Sequence, residues 1–281
     1  MSLESTQAQA QPDLSMAAPH LNGERRLPFL AQVGLLAGRT IQVNLRVPAA
    51  VLPSLLISFL TLFVYKAQFS GIAQVFLHGK SYVGFILPLT LLSAALSGSA
   101  VAGQTILRDI ERGYFDKLSL TPINRWALLL GPMLAGGAFL AAQTVILLSL
   151  GLLLGLRPVT GFAGLLAVLG LTLLLGVGFS GLTVGIALLT GNSAATASAN
   201  FLFFPLTFLT ATFVPLDQLE GWIQVVARIN PITPILEATR SIFNDGWDAA
   251  LIGRALFAGG ALTVIIFAFA LYSLQTRTRR R

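Results

Sequence analysis

The chain has 281 residues, of which 55% are hydrophobic and only 10% are charged, and its formal net charge is +7. Soluble domains average about 45–50% apolar and about 25% charged residues, so this composition excludes an ordinary soluble protein and indicates a membrane protein. The lack of cysteine excludes disulfides and thiol chemistry, and the basic residues flank apolar runs, which argues against nucleic acid as a partner.

The N-terminal part divides into two segments. Residues 1–24 are rich in Ser, Ala, Gln and Pro, so we expect a disordered cytoplasmic terminus. In residues 25–46, apolar side chains recur at spacings of three and four, which predicts an amphipathic helix lying in the membrane interface. An extension of the first membrane span is the alternative. The apolar stripe consists of Leu30, Val33, Ala37, Ile41 and Leu45.

Six apolar stretches follow, and together they predict an all-α integral membrane protein with six transmembrane helices over 47–275. A spanning helix needs about 20 apolar residues. The fifth stretch is short, but 194–199 can extend it, and the chain ends in a basic cytoplasmic tail at 276–281. The stretches are 47–65, 82–106, 126–156, 162–190, 200–214 and 249–274.

Basic residues predict the orientation, and glycines predict close packing. With both termini cytoplasmic, the inner segments hold twelve Lys and Arg residues and the outer segments hold six. This excess on the inside favours two cytoplasmic termini. The small-residue faces are expected to pack against other helices of the same chain. They contain Gly176, Gly178, Gly181 and Gly185.

The segment 104–126 is the densest charge cluster between two apolar stretches. Gly113 is expected to end the preceding helix, and Tyr114, Phe115 and Leu118 to form the apolar face of a short helix. Thr121 is predicted to cap the next helix, with Pro122 as its first residue. This apolar face, ringed by charges, suits a socket on a soluble partner, and a simple amphipathic loop on lipid headgroups is an equal alternative.

The segment 216–248 is apolar in patches but too short in each half to span a membrane. Asp217 is predicted to cap one short helix, and Thr233 with Pro234 to begin a second. We interpret the pair as a re-entrant hairpin in the outer leaflet before the last span. An amphipathic loop on the outer surface is the alternative.

The energy source of any transport must lie outside this chain. The first five stretches contain no Asp, Glu, Lys, Arg or His, and only Arg254 enters the sixth, so coupling to an ion gradient has no obvious site. A phosphate-binding loop is missing, because Gly79-Lys80-Ser81 has Gln74 where that motif needs glycine. We therefore expect no cofactor or metal in this chain, and ATP and Mg to be bound by a separate ATPase.

Two groups of residues resemble a known family. The run RDIERGYFDKLSLTPINR at 108–125 resembles the first cytoplasmic loop of type-2 ABC exporter permeases, in particular the daunorubicin-resistance branch. FVPL at 213–216, GWI at 221–223, NPIT at 230–233 and EATR at 237–240 resemble the external hairpin of that family. The two groups have the expected order around six apolar stretches.

The resemblance implies a permease subunit in the plasma (cell inner) membrane that works with a cytoplasmic ABC ATPase, a second permease chain, identical or paired, and membrane lipid. It implies a connecting helix at 25–46 and a coupling helix that docks the ATPase. The implied coupling residues are Arg108, Glu111, Gly113, Tyr114, Phe115, Asp116, Leu118, Thr121, Pro122 and Arg125. The implied outer hairpin or gate residues are Pro215, Gly221, Trp222, Asn230, Pro231, Glu237 and Arg240.

The spans without charged groups favour a hydrophobic or amphiphilic cargo, such as a drug or a lipid, over a polyanion. Two other classes of function remain as alternatives. One is a membrane-embedded enzyme that modifies lipids, and the other is an anchoring or assembly protein without transport. The carboxylates of the outer hairpin, which the enzyme would use, have no histidine or metal-ligand spacing around them, and His20 and His78 are far apart. Isolation of the chain without an ATPase would favour the anchoring protein.

Overall fold

The computed structural model of the protein describes residues 27–46, 52–77, 80–121, 123–210 and 215–279. Some predicted features lie partly or wholly outside these residues. They are the disordered terminus, the first two residues of the interfacial helix, the beginning of the first apolar stretch, Pro122, the end of the fifth stretch, and the last two residues of the basic tail. All regular structure in the described ranges is helical, as predicted. The helices are α1 (Phe29–Leu45), α2 (Leu52–Leu77), α3 (Tyr82–Glu111), α4 (Tyr114–Ser119), α5 (Arg125–Leu153), α6 (Gly161–Thr190), α7 (Ser193–Ser198), α8 (Phe203–Phe208), α9 (Gly221–Ile229), α10 (Thr233–Asn244) and α11 (Ala249–Arg279).

Four helices, α3, α5, α6 and α11, are long and apolar enough to cross a membrane. Each has 29 to 31 residues, so each is about 45 Å long. Within α2, the apolar helical stretch Leu55–Phe69 is shorter. The described part of the fifth predicted span is divided into α7, a 3-10 turn at Ala199–Leu202 and α8. The count of six spans therefore stays a prediction.

The helix α6 lies at the centre of the bundle, packed between α3 and α11. These three helices run in the same direction, and α5 runs opposite to them. The predicted glycine faces are confirmed as contacts within the chain. A Cβ added to Gly178, Gly181 or Gly185 would lie 2.6–2.9 Å from side-chain atoms of α11, and one on Gly176 would meet Leu140 of α5. Without side chains at these positions, the backbones of α6 and its neighbours approach closely.

The bundle has two ends that differ in chemistry. We call the end where α3 stops and α5 begins the charged end, because it carries Arg108 to Arg125. We call the opposite end the hairpin end, because α10 finishes there: Asn244 contacts Gly84 at the start of α3. The other terminus of α10 lies deep in the bundle, where Ile235 and Leu174 both approach Gly259.

Two predicted helix starts are wrong. The helix α5 begins at Arg125, where the side chain of Asn124 accepts a hydrogen bond from the N–H of Trp126 at 3.0 Å. The hydroxyl of Thr121 instead donates to the carbonyl of Leu118 at 2.6 Å. Asp217 caps no helix, because it lies inside a 3-10 turn that follows Pro215, and α9 begins only after the next loop. The start of α10 at Thr233 agrees with the prediction.

Candidate functional site

The helix α1 lies along α5 at the charged end. Gly131 of α5 makes the close approach possible, since a Cβ there would lie 2.5 Å from the Cβ of Leu36. The face of α1 that packs on the bundle carries Val33, Thr40 and Asn44, all buried. It overlaps the predicted stripe only in part: Val33 is buried, but Leu30 is 78% and Leu45 is 65% exposed. Those leucines instead remain available to the surrounding lipid, as an interfacial helix requires.

Arg39 of α1 contacts both the end of α3 and the start of α4. Its two terminal nitrogens donate to the two carboxylate oxygens of Asp109 at 2.9 and 2.8 Å. Its guanidinium also lies 3.9 Å from the centre of the Tyr114 ring. We call these three residues the Arg39 clamp. A bidentate arginine–carboxylate pair fixes orientation as well as distance, so the clamp makes three helices into one unit.

The clamp is partly sheltered from water, because the side chains of Arg39 and Asp109 are 34% and 11% exposed. The hydrogen bond to Asp109 raises the pKa of the Arg39 guanidinium above its ordinary value. The Arg39 guanidinium therefore stays charged over the physiological pH range. Because Arg39 is one-third exposed, solvent weakens the attraction relative to a fully buried pair.

Two further contacts join α1 to the bundle. The side-chain oxygen of Gln32 accepts a hydrogen bond from the N–H of Asn124, just before α5, at 2.8 Å. At the other end of α1, the side-chain amide of Asn44 donates to the hydroxyl of Thr105 on α3 at 3.3 Å. Together with the clamp, these contacts fasten α1 along most of its length.

The helix α4 turns away from α3 at Gly113, whose φ of 65° confirms the predicted break. Its apolar face does not point outward as expected: Phe115 is only 3% exposed and packs in the core. A short helix beside a bundle buries its largest apolar side chain against its own chain. The outward surface, which we call the coupling rim, is instead charged around one apolar side chain, Leu120, which is 89% exposed. The rim consists of Glu111, Arg112, Lys117, Leu120 and Thr121.

Arg277, in the last turns of α11, joins the far end of the chain to α4. Its Nη1 donates to the carbonyl of Leu188 on α6 at 3.1 Å. Its guanidinium lies 5.7 Å from the centre of the Phe115 ring. The short helix α4 is therefore held by an arginine on each side, Arg39 from α1 and Arg277 from α11.

At the hairpin end, two of the predicted outer residues hold the hairpin in place. The amide of Asn230 donates to the carbonyls of Leu206 and Leu209 at 2.6 and 3.0 Å. The Nε of Arg240 donates to the carbonyl of Phe85 on α3 at 3.0 Å, with its guanidinium 3.7 Å from that ring centre. These contacts tie α8 to the turn before α10, and α10 to α3.

The other predicted outer residues are spread over the hairpin. Gly221 has a φ of 64° and opens α9, and Trp222 beside it is 69% exposed. Pro215 precedes the 3-10 turn, and Pro231 lies between α9 and α10. Glu237 is half-buried on α10, three residues before Arg240. The hairpin is fastened to the bundle through buried Asn230 and Arg240, while Trp222 stays at its surface.

Substitution of Gly113 by valine is expected to destabilise the turn between α3 and α4. A β-branched residue at a φ of 65° costs about 1–2 kcal/mol, although no atom stands where its Cβ would lie. Gly113→Asn is the matched control, because asparagine tolerates this conformation. Thermal unfolding in detergent should show a lower Tm for valine and a nearly unchanged Tm for asparagine. Equal Tm values for both variants would show that the turn does not require a positive φ.

The structure brings most of the predicted coupling residues to one end of the bundle but assigns them different surroundings. Glu111, Thr121 and Arg125 are exposed, whereas Arg108, Asp116 and Leu118 are half-buried. Sequence reasoning missed the partners that hold them, Arg39 and Arg277, because 70 or more residues separate each from its contact. It also missed Leu120. An apolar residue within a charged segment could have indicated Leu120 as an exposed contact residue. Phe115 fits the same description, however, and it is buried.

Comparison with known proteins matches the profile of the ABC-2 type transporter family to residues 31–244. A probable doxorubicin resistance ABC transporter permease protein, DrrC, of Mycobacterium tuberculosis is 24% identical over 255 residues, which cover 90% of this chain and 92% of that protein. The daunorubicin resistance ABC transporter permease protein DrrB1 of Streptomyces coeruleorubidus is 24% identical over 62% of both chains. A probable multidrug ABC transporter permease, YbhR, of Escherichia coli is 26% identical over 63% of this chain and 48% of its own length.

Proposed function

Since this chain belongs to the ABC-2 type transporter family and is a transmembrane subunit of an ABC exporter, we propose that its coupling rim docks a separate cytoplasmic ATPase, which binds ATP and Mg. The charged end then faces the cytoplasm of the cell, in the inner membrane, with both chain termini on that side. The cargo is a hydrophobic or amphiphilic compound, drug-like or lipid-like, and doxorubicin is the probe suggested by the name of the mycobacterial relative.

The observation that carries this proposal is the exposure of Leu120 amid charged side chains on a helix that the bundle holds from both sides. An apolar side chain that is 89% exposed gains by insertion into a pocket of a partner. The charges of Glu111, Arg112 and Lys117 around it favour one orientation of that partner. Because Arg39 of α1 and Arg277 of α11 both contact aromatic rings of α4, a partner that displaces the rim also moves α1 and α11.

We further propose that two permease chains, identical or paired, form the pathway, with six spans in each. The path of the backbone supports the fifth of these spans: α7 begins at the charged end, beside the end of α6, and the Leu206 carbonyl of α8 meets the deep hairpin turn at Asn230. The hairpin of α9 and α10 is then the re-entrant element, since α10 runs from the bundle interior to the hairpin end. Exposed apolar side chains on α2 provide a surface for the second chain or for lipid. They are Leu56, Ile57, Leu60 and Phe63.

The docking proposal is tested by co-purification of the permease with its cytoplasmic ABC ATPase. Leu120→Asp should lose the ATPase, by about thirtyfold or more in affinity, since central anchors of interfaces are worth about 2 kcal/mol or more. Its own fold should not suffer, because the side chain is exposed. Val159→Asp is the matched control: Val159 is also exposed, at 65%, but lies at the hairpin end.

Loss of the ATPase with Leu120→Asp and its retention with Val159→Asp would support the coupling rim. Retention of the ATPase by both variants, with unchanged affinity, would show that docking uses another surface. Doxorubicin export from proteoliposomes that contain permease and ATPase should follow the same pattern. Efflux that persists in Leu120→Asp at the wild-type rate would contradict the docking role.

A further inference from the structure

A cavity of about 560 Å3 opens at the charged end, between α4, the start of α5 and the end of α11. It shares Leu120 and Thr121 with the coupling rim, and the rest of its lining comes from α4, the residues that begin α5, and α11. Its polar wall holds Asp116, Arg125 and Arg277, and its apolar wall includes Leu120 and Leu128. A cavity with one charged and one apolar wall suits an amphiphilic ligand.

The position of Trp126 sets the depth of this cavity in the membrane. Its ring lies 5.8 Å from that of Phe267 on α11, and it is partly exposed. Tryptophan concentrates at the boundary between headgroups and acyl chains. Arg125, the neighbouring residue, is therefore at headgroup level, and Leu128 lies one turn deeper. The cavity faces the region where phospholipid headgroups are found.

The charges of the lining determine which headgroup fits. Two guanidinium groups and one carboxylate leave one net positive charge among the lining residues. A phosphodiester carries one negative charge and can accept hydrogen bonds from the arginines. The carboxylate of Asp116 can accept a hydrogen bond from an ammonium or hydroxyl group on the same headgroup.

We propose that this cavity binds one phospholipid of the leaflet at the charged end, with its phosphodiester at Arg125 and Arg277 and a headgroup donor at Asp116. Basic pockets between transmembrane helices are known to hold lipid headgroups in this way. The bound class is a phospholipid with a headgroup donor, such as phosphatidylethanolamine or phosphatidylglycerol. Phosphatidylcholine, which has no donor, fits the charges less well. The lipid bridges α5 and α11 next to α4.

The test uses the full permease without ATPase, so that its failure is distinct from failure of the docking proposal. The protein is reconstituted with equal amounts of phosphatidylethanolamine, phosphatidylglycerol and phosphatidylcholine, extracted, washed, and examined by native mass spectrometry. We expect one retained phospholipid per chain from the first two classes. Arg125→Gln should reduce its retention by about tenfold or more, the ratio expected for one lost charge-assisted hydrogen bond.

Two variants and one competitor make the result specific. Arg112→Gln is the matched control, since Arg112 is an exposed arginine at the same end but outside the cavity lining, and it should retain the lipid. Asp116→Ala should keep a bound phospholipid but lose the preference over phosphatidylcholine. Excess inorganic phosphate should not displace the lipid, because it cannot occupy the apolar wall.

Three outcomes would overturn the proposal. The first is equal retention of all three lipid classes by the wild-type protein. The second is loss of lipid in Arg112→Gln to the same extent as in Arg125→Gln, which would indicate general attraction to the basic surface. The third is displacement by inorganic phosphate, which would identify a phosphate site rather than a lipid site.

Discussion

Replacing Asp109 by alanine is expected to reduce export, measured with doxorubicin as the probe, about five- to twentyfold while the associated ATPase continues to hydrolyse ATP. The substitution removes both hydrogen bonds of the Arg39 clamp, at 2.8 and 2.9 Å, and leaves Arg39 without the carboxylate that orients it. Hydrogen bonds to charged groups contribute about 1.5–3 kcal/mol, and a coupling energy of about 1–3 kcal/mol corresponds to a change of about 5- to 150-fold. Partial exposure of Arg39 places the expected loss in the lower part of that range.

The measurement is the ratio of doxorubicin exported to ATP hydrolysed in proteoliposomes. A swapped pair, Arg39→Asp with Asp109→Arg, should restore part of the coupling, because it recreates the ion pair in reverse. Arg46→Ala is the control for loss of one positive charge, since Arg46 is an exposed arginine at the end of α1 outside the coupling rim, and its ratio should match the wild type. If Asp109→Ala exports at the wild-type ratio, the clamp does not transmit movement between α1 and α4.

Replacing Gly103 by leucine is expected to lower the free energy of unfolding by about 3 kcal/mol. A Cβ at this position of α3 would lie 2.7 Å from the Cβ of Thr183 and 3.0 Å from its carbonyl carbon and oxygen. Backbone atoms of α6 cannot rotate away as the tip of a side chain can, so the two helices must separate. Overpacking costs about 1–3 kcal/mol, and the separation also stretches the 2.7 Å hydrogen bond from the Thr183 hydroxyl to the Ser99 carbonyl.

Gly170→Leu is the matched control for this substitution. Gly170 lies on α6, and no atom stands within 4 Å of the place where its Cβ would lie. Leucine is a better helix former than glycine by about 0.8 kcal/mol, so the control should be neutral or slightly more stable. Thermal unfolding of both variants in the same detergent decides the question. A Tm for Gly103→Leu equal to that for Gly170→Leu would show that α3 and α6 are not in close contact.

The long helices were predictable from sequence because uncharged apolar runs leave the backbone no alternative to internal hydrogen bonding in a membrane. The break at Gly113 was predictable too, since glycine alone tolerates that φ without cost. The fifth predicted stretch behaves differently. Asn192 caps a new helix, with its side chain accepting from the N–H of Ala195, and Pro205 lies in the first turn of another. Such local signals divide a stretch that hydrophobicity alone joins together.

The face of α1 that meets the bundle was predictable from apolar periodicity only at Val33. In a soluble protein the apolar stripe is buried, but beside a membrane the lipid takes up apolar side chains such as Leu30. The polar side chains of Thr40 and Asn44 then find their partners inside the protein, and both are buried. The sequence also could not show that Phe115 is buried and Leu120 exposed, because both are apolar residues in one charged segment.

Two arginines from other helices are attached to α3 near its opposite ends, so that movement of one end is linked to movement of the other. Arg39 attaches at Asp109 near one end, and Arg240 attaches at the Phe85 carbonyl near the other. The two attachment points are 24 residues apart along one helix, which is about 36 Å. A rigid tilt of about 5° around one point would displace the other by about 3 Å, enough to shift the buried turn of the hairpin relative to its neighbours. A small displacement of α3 at the charged end would therefore reach the opposite side of the bilayer through this one helix.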